Sequence, residues 1–298
     1  MSRVGLLVNP TSGKGKGRQV GESAAAELTA AGHQVVTITG RDDAHARQLV
    51  EEALHSGLDA LVAVGGDGLV NIAINAVAET STPLGVVPAG TGNDLATGLD
   101  LPTHDPAAAI KLVLVALEQG SHRAIDAVHV NGAQTNRWFG CVLGSGFDSV
   151  VNETANRMRW PKGPQRYNLA IARELPRFKP IPFEITVDGE RMDTPAMLVG
   201  LANAKSYGGG IKIAPNAIID DGLMDVVILR PVSKLDFVKT LPKARTGTHI
   251  PHPQITIVRA TTVTLSSPGV IAYADGERFG PLPITCTSVP GALQILTG

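Results

Sequence analysis

Between Leu61 and Asn71 the chain reads LVAVGGDGLVN: an apolar run opens into Gly-Gly-Asp-Gly and then resumes. Glycine costs backbone entropy on folding and adds no side chain to a core, so three glycines around one acid need a chemical reason. Two further loops share the texture, NPTSGKGKGR (9–18) and PAGTGND (88–94). Bare backbone lets N–H groups approach phosphate oxygens, and a helix starting just beyond adds partial positive charge. On this reading Gly65, Gly66 and Gly68 form a phosphate cradle, and Asp67 stands where a phosphate-bound metal would need a carboxylate. Lys14, Lys16 and Arg18 meet phosphates or an anionic lipid, or else line a solvated loop. No G-x-x-x-x-G-K-[ST] occurs and no G-x-G-x-x-G follows the first apolar run. That excludes a P-loop NTPase and argues against the usual dinucleotide fold.

The elements that must hold these loops alternate. VGLLVN (4–9), QVVTIT (34–39), DALVAV (59–64) and PLGVVP (83–88) read as strands. Helical stretches separate them at 17–32, 43–57 and 69–79. Strands alternating with helices predict a parallel sheet covered on both faces, an open Rossmann-like α/β domain. All three loops then leave its carboxyl edge, where such sheets bind ligands.

Near Ile125 the texture changes to short strand candidates between Gly, Pro and Asn/Asp turns. They are AIDAVHVNG, RWFGCVLGSG, PFEITVDGERM, AMLVGLANA, MDVVILRP, ITIVRA, TVTLSS, VIAYADGE and PITCTS, with helices near 148–157, 165–175 and 233–241. This predicts a mainly antiparallel β-sandwich. The expected organisation is an α/β nucleotide-binding domain over 1–123 and a sandwich over 124–290. With 26 basic and 27 acidic residues the chain lacks the basic excess of a nucleic-acid binder. Its two cysteines make no metal spacing and no disulfide framework, which suits a reducing cytoplasm. No secretory signal or spanning stretch is legible, so any membrane contact is expected to be peripheral.

In this order and spacing, VNPTSGKGKG, GGDGLVN and PAGTGNDLA resemble the diacylglycerol kinase catalytic-domain family, and within it the bacterial soluble lipid kinases related to diacylglycerol and sphingosine kinases. The likeness continues through GSGFDSVV (144–151), IAPNAIIDDGLMDVVIL (213–229) and YADGERFGPLPITCTSVPGALQIL (273–296), and so covers nearly the whole chain. It implies an ATP-dependent kinase that uses Mg²⁺ and phosphorylates a hydroxyl of a membrane lipid, diacylglycerol first among candidates, in a cleft covered by the sandwich. It also implies that the last segment, near 291–298, returns to the first domain.

Carried over by position, the resemblance places Asn9, Thr11, Ser12 and Gly13 in the first phosphate loop and Thr39 at the end of the second strand as a nucleotide contact. Gly65, Gly66, Asp67, Gly68 and Asn71 belong to the central nucleotide loop, and Gly90, Thr91, Gly92, Asn93 and Asp94 to the third. It implies a structural Mg²⁺ site at Asp221 with the carbonyls of Ile218 and Leu223, and a catalytic base at Asp275 or Glu277. Asp67 remains an alternative base. By spacing alone, YADGE and DDG both read as ordinary turns. Leu69 stands where the family usually carries Thr, which removes a hydroxyl. Arg157, Arg159, Lys162 and Arg166 around Trp160 and Tyr167 suit an anionic membrane surface, or a basic loop packed on its own domain. An edge strand of the sandwich allows a homodimer. The competing readings are an NAD kinase, which shares Gly-Gly-Asp-Gly, and a catalytically silent lipid- or nucleotide-binding protein.

Overall fold

The computed structural model describes residues 1–158, 160 and 164–297. It divides into two compact units, 1–127 with 290–298, and 128–289.

The first unit begins with β1 (Arg3–Val8), α1 (Ser12–Ala30), β2 (Gln34–Ile38), α2 (Asp43–His55), β3 (Ala60–Gly65), α3 (Asp67–Val77) and β4 (Leu84–Pro88). The short α4 (Asp94–Gly98), α5 (Pro106–Gln119) and the start of β5 (His122–Gly132) follow. The strands are parallel in the order β2-β1-β3-β4. β3 and β4 are buried along their whole length, which is why they read as unbroken apolar runs. Asp42 and Asp105 cap α2 and α5 by accepting the N–H groups of His45 and Ala108. The end of the last strand, β16 (Ile284–Leu296), adds beside β4 in parallel, with Ile295 opposite Leu84.

The second unit continues with β6 (Thr135–Phe139), β7 (Val142–Gly146), α6 (Phe147–Arg157), α7 (Pro164–Glu174), β8 (Ile181–Val187), β9 (Glu190–Ala196) and β10 (Leu198–Ala202). Then come β11 (Met224–Leu229), α8 (Lys234–Thr246), β12 (Ile255–Ala260), β13 (Thr262–Ser266), β14 (Ile271–Ala274) and β15 (Glu277–Pro281). One antiparallel sheet runs β12-β11-β10-β7-β14-β15; the other places β13 between β16 and β8, with β9 outside β8. Val263, Leu265, Ile185 and Ile284 from one sheet and Leu143, Leu201, Val226 and Ile228 from the other share one core. The expected Rossmann-like α/β domain and antiparallel sandwich are both present.

Two stretches read as single strands are each two. RWFGCVLGSG breaks between Phe139 and Val142, and AMLVGLANA breaks at Met197. In each case the chain leaves one sheet and enters the other, so hydrophobicity is continuous while the ladder is not.

α6, α7 and α8 cover the second face of the β11 sheet, where Phe147, Phe178 and Phe237 meet with ring centroids 4.5–5.3 Å apart. Residues Met224–Leu229 are therefore buried on both sides. No helix among the described residues is long and apolar enough to cross a membrane.

At the carboxyl edge of the first unit the three glycine loops press on one another. Gly13 has φ of +56° and lies against the carbonyl of Ala89, a conformation that side chains rarely adopt. The backbones of Gly66 and Gly90 touch directly, and a Cβ on Gly90 would overlap the Cα of Gly66. Gly90→Ala should accordingly force the second and third loops apart at a cost of about 1–3 kcal/mol. A fall in the thermal midpoint is the expected result, because a Cβ at position 90 meets backbone that can yield only by opening the contact between the two loops.

Candidate active site

In the first unit Asp67 is the first residue of α3, after Gly66 in extended conformation. Its Oδ2 accepts the N–H of Asn93 at 3.0 Å and its Oδ1 that of Asp94 at 2.6 Å. Asn93, left-handed at φ +57°, closes the third loop by accepting the Gly90 N–H at 3.0 Å. Asp67 thus fastens the second loop to the third, and Gly92 is bare because a Cβ there would strike its carboxylate. Burial raises the Asp67 carboxyl above its ordinary range, against the opposing pull of the backbone N–H bonds. The acid between the glycines is a clamp.

The first loop is shaped in a similar way. The Oδ1 of Asn9 accepts both the N–H of Thr11 (3.0 Å) and its hydroxyl (2.8 Å). Ser12 and Gly13 open α1, whose regular turns resume only after the left-handed run Gly13–Lys14–Gly15. Thr39 and Thr91, which follow β2 and β4, are exposed. Asn71 lies further along α3 with no exposed surface, and its Oδ1 accepts from Asn75 Nδ2 at 3.2 Å. Leu69 is buried and packs over Gly65, where an added Cβ would lie 2.6 Å from its Cδ2. The missing hydroxyl has been replaced by core packing.

In the second unit Asp275 and Gly276 form the turn between β14 and β15, with φ of +50° and +82°. Such paired left-handed residues fit the tight hairpin that Asp-Gly favours. The Asp275 carboxylate is buried and accepts three N–H groups, from Gly140 (2.8 Å), Cys141 (3.1 Å) and Val142 (3.2 Å). Those donors lie at the break between β6 and β7. Glu277, two residues on, is half-buried at the start of β15. Glu153 of α6 braces the same hairpin, accepting the Tyr273 hydroxyl at 2.7 Å and Arg278 Nε at 3.1 Å. These bonds hold the Glu153 carboxyl below its ordinary range, while burial and the Glu153 bond push the Tyr273 phenol up to about 12.

Asp221 accepts the Leu223 N–H at 3.1 Å and pairs with the guanidinium of Arg259. Its charge is thereby matched by a cation already, and a divalent ion would have to displace or face that guanidinium. One carboxylate so engaged, with the carbonyls of Ile218 and Leu223, fits Mg²⁺ poorly in this arrangement. No cluster of three or more His, Cys, Asp or Glu suited to a metal occurs among the described residues.

One site escaped the sequence reading. Between α6, α7 and α8 and the sheet beneath lies an apolar cavity of about 110 Å³, lined by Phe147, Val151, Leu198, Leu229, Phe237 and Leu241 among others. Cavities of comparable size, about 150 Å³, stay dry and take small apolar ligands. Asp148 lines it, with its Oδ1 accepting the Tyr207 hydroxyl at 3.0 Å. Burial pushes this carboxyl up to about 6, against the Tyr207 bond. The only signal in the sequence was the acid after Phe147 in GSGFDSVV, which any helix start would also explain.

Because the folded carboxyl holds its proton to higher pH than the unfolded one, Asp148 contributes a stability that declines as pH rises from about 4 through about 6. Asp148→Asn keeps an acceptor for Tyr207 and removes this dependence. The parent is expected to lose on the order of 3 kcal/mol across that interval relative to the variant, at about 1.4 kcal/mol per pH unit. Urea midpoints measured from pH 4 to pH 7 on both proteins check it.

Comparison with known proteins agrees with this geometry. The diacylglycerol kinase catalytic domain matches residues 3–130, and the YegS C-terminal NAD kinase beta sandwich-like domain matches residues 141–297. A diacylglycerol kinase of Mycobacterium tuberculosis is 41% identical over 99% of this chain and 95% of its own length. One from Staphylococcus epidermidis is 29% identical over 99% of this chain and 92% of its own. Two solved Bacillus anthracis structures, the second described as a diacylglycerol kinase, share the fold with TM-scores of 0.81 and 0.73. They are 23% and 22% identical and cover 100% of this chain and 95% and 97% of theirs. With interlocked glycine loops in the first unit and a carboxylate-pinned sandwich in the second, this chain belongs to the diacylglycerol kinase family and is a phosphotransferase of the lipid kinase type.

Proposed function

We propose that the protein transfers the γ-phosphate of ATP to a hydroxyl of a membrane lipid, with diacylglycerol the first candidate. The observation that carries the lipid assignment is the cavity of the second unit, whose lining is mainly aliphatic and aromatic, with Asp148, Thr240, His249 and His252 as its polar members. Such a lining suits a hydrocarbon chain and has little to offer a nicotinamide dinucleotide, which disfavours the NAD kinase reading.

Phosphoryl transfer asks the protein mainly for positioning and charge compensation. ATP, carrying its Mg²⁺, would lie on the loops at the carboxyl edge of the first unit, its phosphates toward the N-terminus of α3 at 66–68 and the glycine turn at Gly13, since the N–H groups of Asn9, Thr11 and Ser12 are already donated to Val64 O, Asn9 Oδ1 and Asn9 O. The exposed hydroxyls of Thr39 and Thr91 stand at the ends of β2 and β4 on that edge. The lipid oxygen attacks the γ-phosphorus, the bond to the β–γ bridging oxygen breaks, and ADP leaves. The hydroxyl proton passes to a carboxylate of the Asp275–Glu277 turn. Asp275 spends both oxygens on three backbone N–H groups, which holds the turn in place. Asp67 serves the nucleotide loops as their clamp.

This reading sets the enzyme to work from the cytoplasm, where ATP is supplied, in transient contact with the membrane that carries its substrate. Trp160 suits that contact, since 79% of its surface is exposed. Arg157 beside it is largely exposed as well, while Arg159 and Lys162 lie outside the described residues.

Labelled ATP with Mg²⁺ and a total lipid extract should yield labelled lipid, and Asp275→Ala and Asp67→Ala should each lower that transfer at least 100-fold. Label in NADP when NAD is offered, with none in lipid, would overturn the reading in favour of NAD kinase. Nucleotide binding without any transfer would favour a silent binding protein. For the membrane contact, Trp160→Ala is expected to lower sedimentation with anionic vesicles several-fold at unchanged transfer to dispersed short-chain lipid.

A further inference from the structure

α8 presents two unlike faces. Phe237, Thr240, Leu241 and Ala244, spaced three and four residues apart, line the apolar cavity. Leu235, Lys239, Pro242 and Thr246 recur with the same period on the opposite side, flanked by Val238 and Lys243, and all are exposed. Leu235 exposes 75% of its surface and Val238 47%, in a chain whose large apolar side chains are seldom so bare. The side chains of Lys239, Lys243 and Arg245 make no ion pair or hydrogen bond among the described residues, although the Lys243 carbonyl accepts the Thr246 hydroxyl at 3.0 Å. The remaining polar groups of α8 are used at its ends. Ser233 caps it, Lys234 Nζ donates to the Pro176 carbonyl at 2.6 Å, and Asp236 meets His252 at 3.1 Å. The Lys212 N–H donates to the Ala244 carbonyl at 2.8 Å.

We propose that α8 seats the second unit on an anionic bilayer, with Leu235 and Val238 entering the headgroup layer and Lys239, Lys243 and Arg245 meeting lipid phosphates. Aliphatic side chains beside unpaired cations on one helix face are what an interfacial helix requires. A second copy of the chain is a worse occupant, since a twofold contact through this face would set three unpaired cations against their own copies. The face carries no aromatic ring on which a nucleic-acid base could stack. The inference rests on the lipid kinase reading for its purpose: the helix that touches the bilayer on one side walls the cavity for the lipid on the other. Substrate would then pass from the bilayer to the cavity around or beneath α8 without crossing water.

The test uses the full chain, with vesicles of phosphatidylcholine alone and with about a third phosphatidylglycerol, and two variants. Lys239→Gln with Lys243→Gln should lower partitioning onto the anionic vesicles roughly thirty-fold, from about 1 kcal/mol per basic residue near such a surface. Leu235→Ser with Val238→Ser should lower binding to the anionic vesicles and weaken what binding there is to neutral ones. Both should keep the parent's melting temperature and its transfer to short-chain lipid dispersed as monomers. Partitioning equal to the parent's in both variants overturns the proposal. So does a change in sedimentation-equilibrium mass with partitioning unaltered, which would make the face a contact between copies. If the parent itself phosphorylates no dispersed lipid, the kinase reading fails, while the vesicle comparison still decides the role of α8.

Discussion

Backbone that leaves a ladder inside a protein must still find partners for its N–H groups, and in each unit one acidic side chain supplies them. Asp67 accepts the N–H groups of Asn93 and Asp94, where the chain turns left-handed into α4. Asp275 accepts those of Gly140, Cys141 and Val142, where the chain passes from one sheet of the sandwich to the other. A charged acceptor makes stronger bonds than a neutral one, so each break is rigid although no regular structure spans it. The join between the second and third loops of the first unit, and the turn of the hairpin in the second, are held by these two carboxylates, with Asn9 shaping the first loop and Glu153 bracing the hairpin beside them.

The glycines complete the same design. A clamp of this kind works only if the loops can approach to backbone contact, and Gly66, Gly90 and Gly92 allow that approach. A glycine-rich loop is commonly taken as room left for a phosphate. Here part of that room is taken by the neighbouring loop, and the surface at this edge is the one that three interlocked loops present together. Leu69 agrees with this, since it closes the underside of the loop by packing on Gly65.

The second unit buries one sheet on both faces, under the sandwich core on one side and three helices on the other. Helices pack on a sheet less closely than a second sheet does when large rings hold them off, and the phenylalanine trio does so beside the cavity. Burial at the edge of that apolar space is what lowers the acidity of Asp148, and the bond from the Tyr207 hydroxyl opposes that shift only in part.

Much of the fold was legible in the residues themselves. Unbroken apolar runs and helical stretches ending in glycine set out β1–β4 with α1–α3, and short strands between turn residues announced the sandwich, because period and turn chemistry are local properties. The order and spacing of the three glycine loops carried the family. The places where one hydrophobic run became two strands were hidden, since a change of sheet alters the partner and leaves the polarity alone. What Asp67 and Asp275 bind was hidden for a related reason. Their partners stand about 26 and 135 residues away in the chain, and the donors are main-chain groups that carry no side-chain signature. Nor could the cavity be read, because Phe147, Leu229 and Phe237 look like any core residues until packing leaves space among them. Sequence alone determined which elements form and which loops are bare; tertiary structure decided what each carboxylate holds and where the apolar interior stays open, since both depend on contacts between residues far apart in the chain.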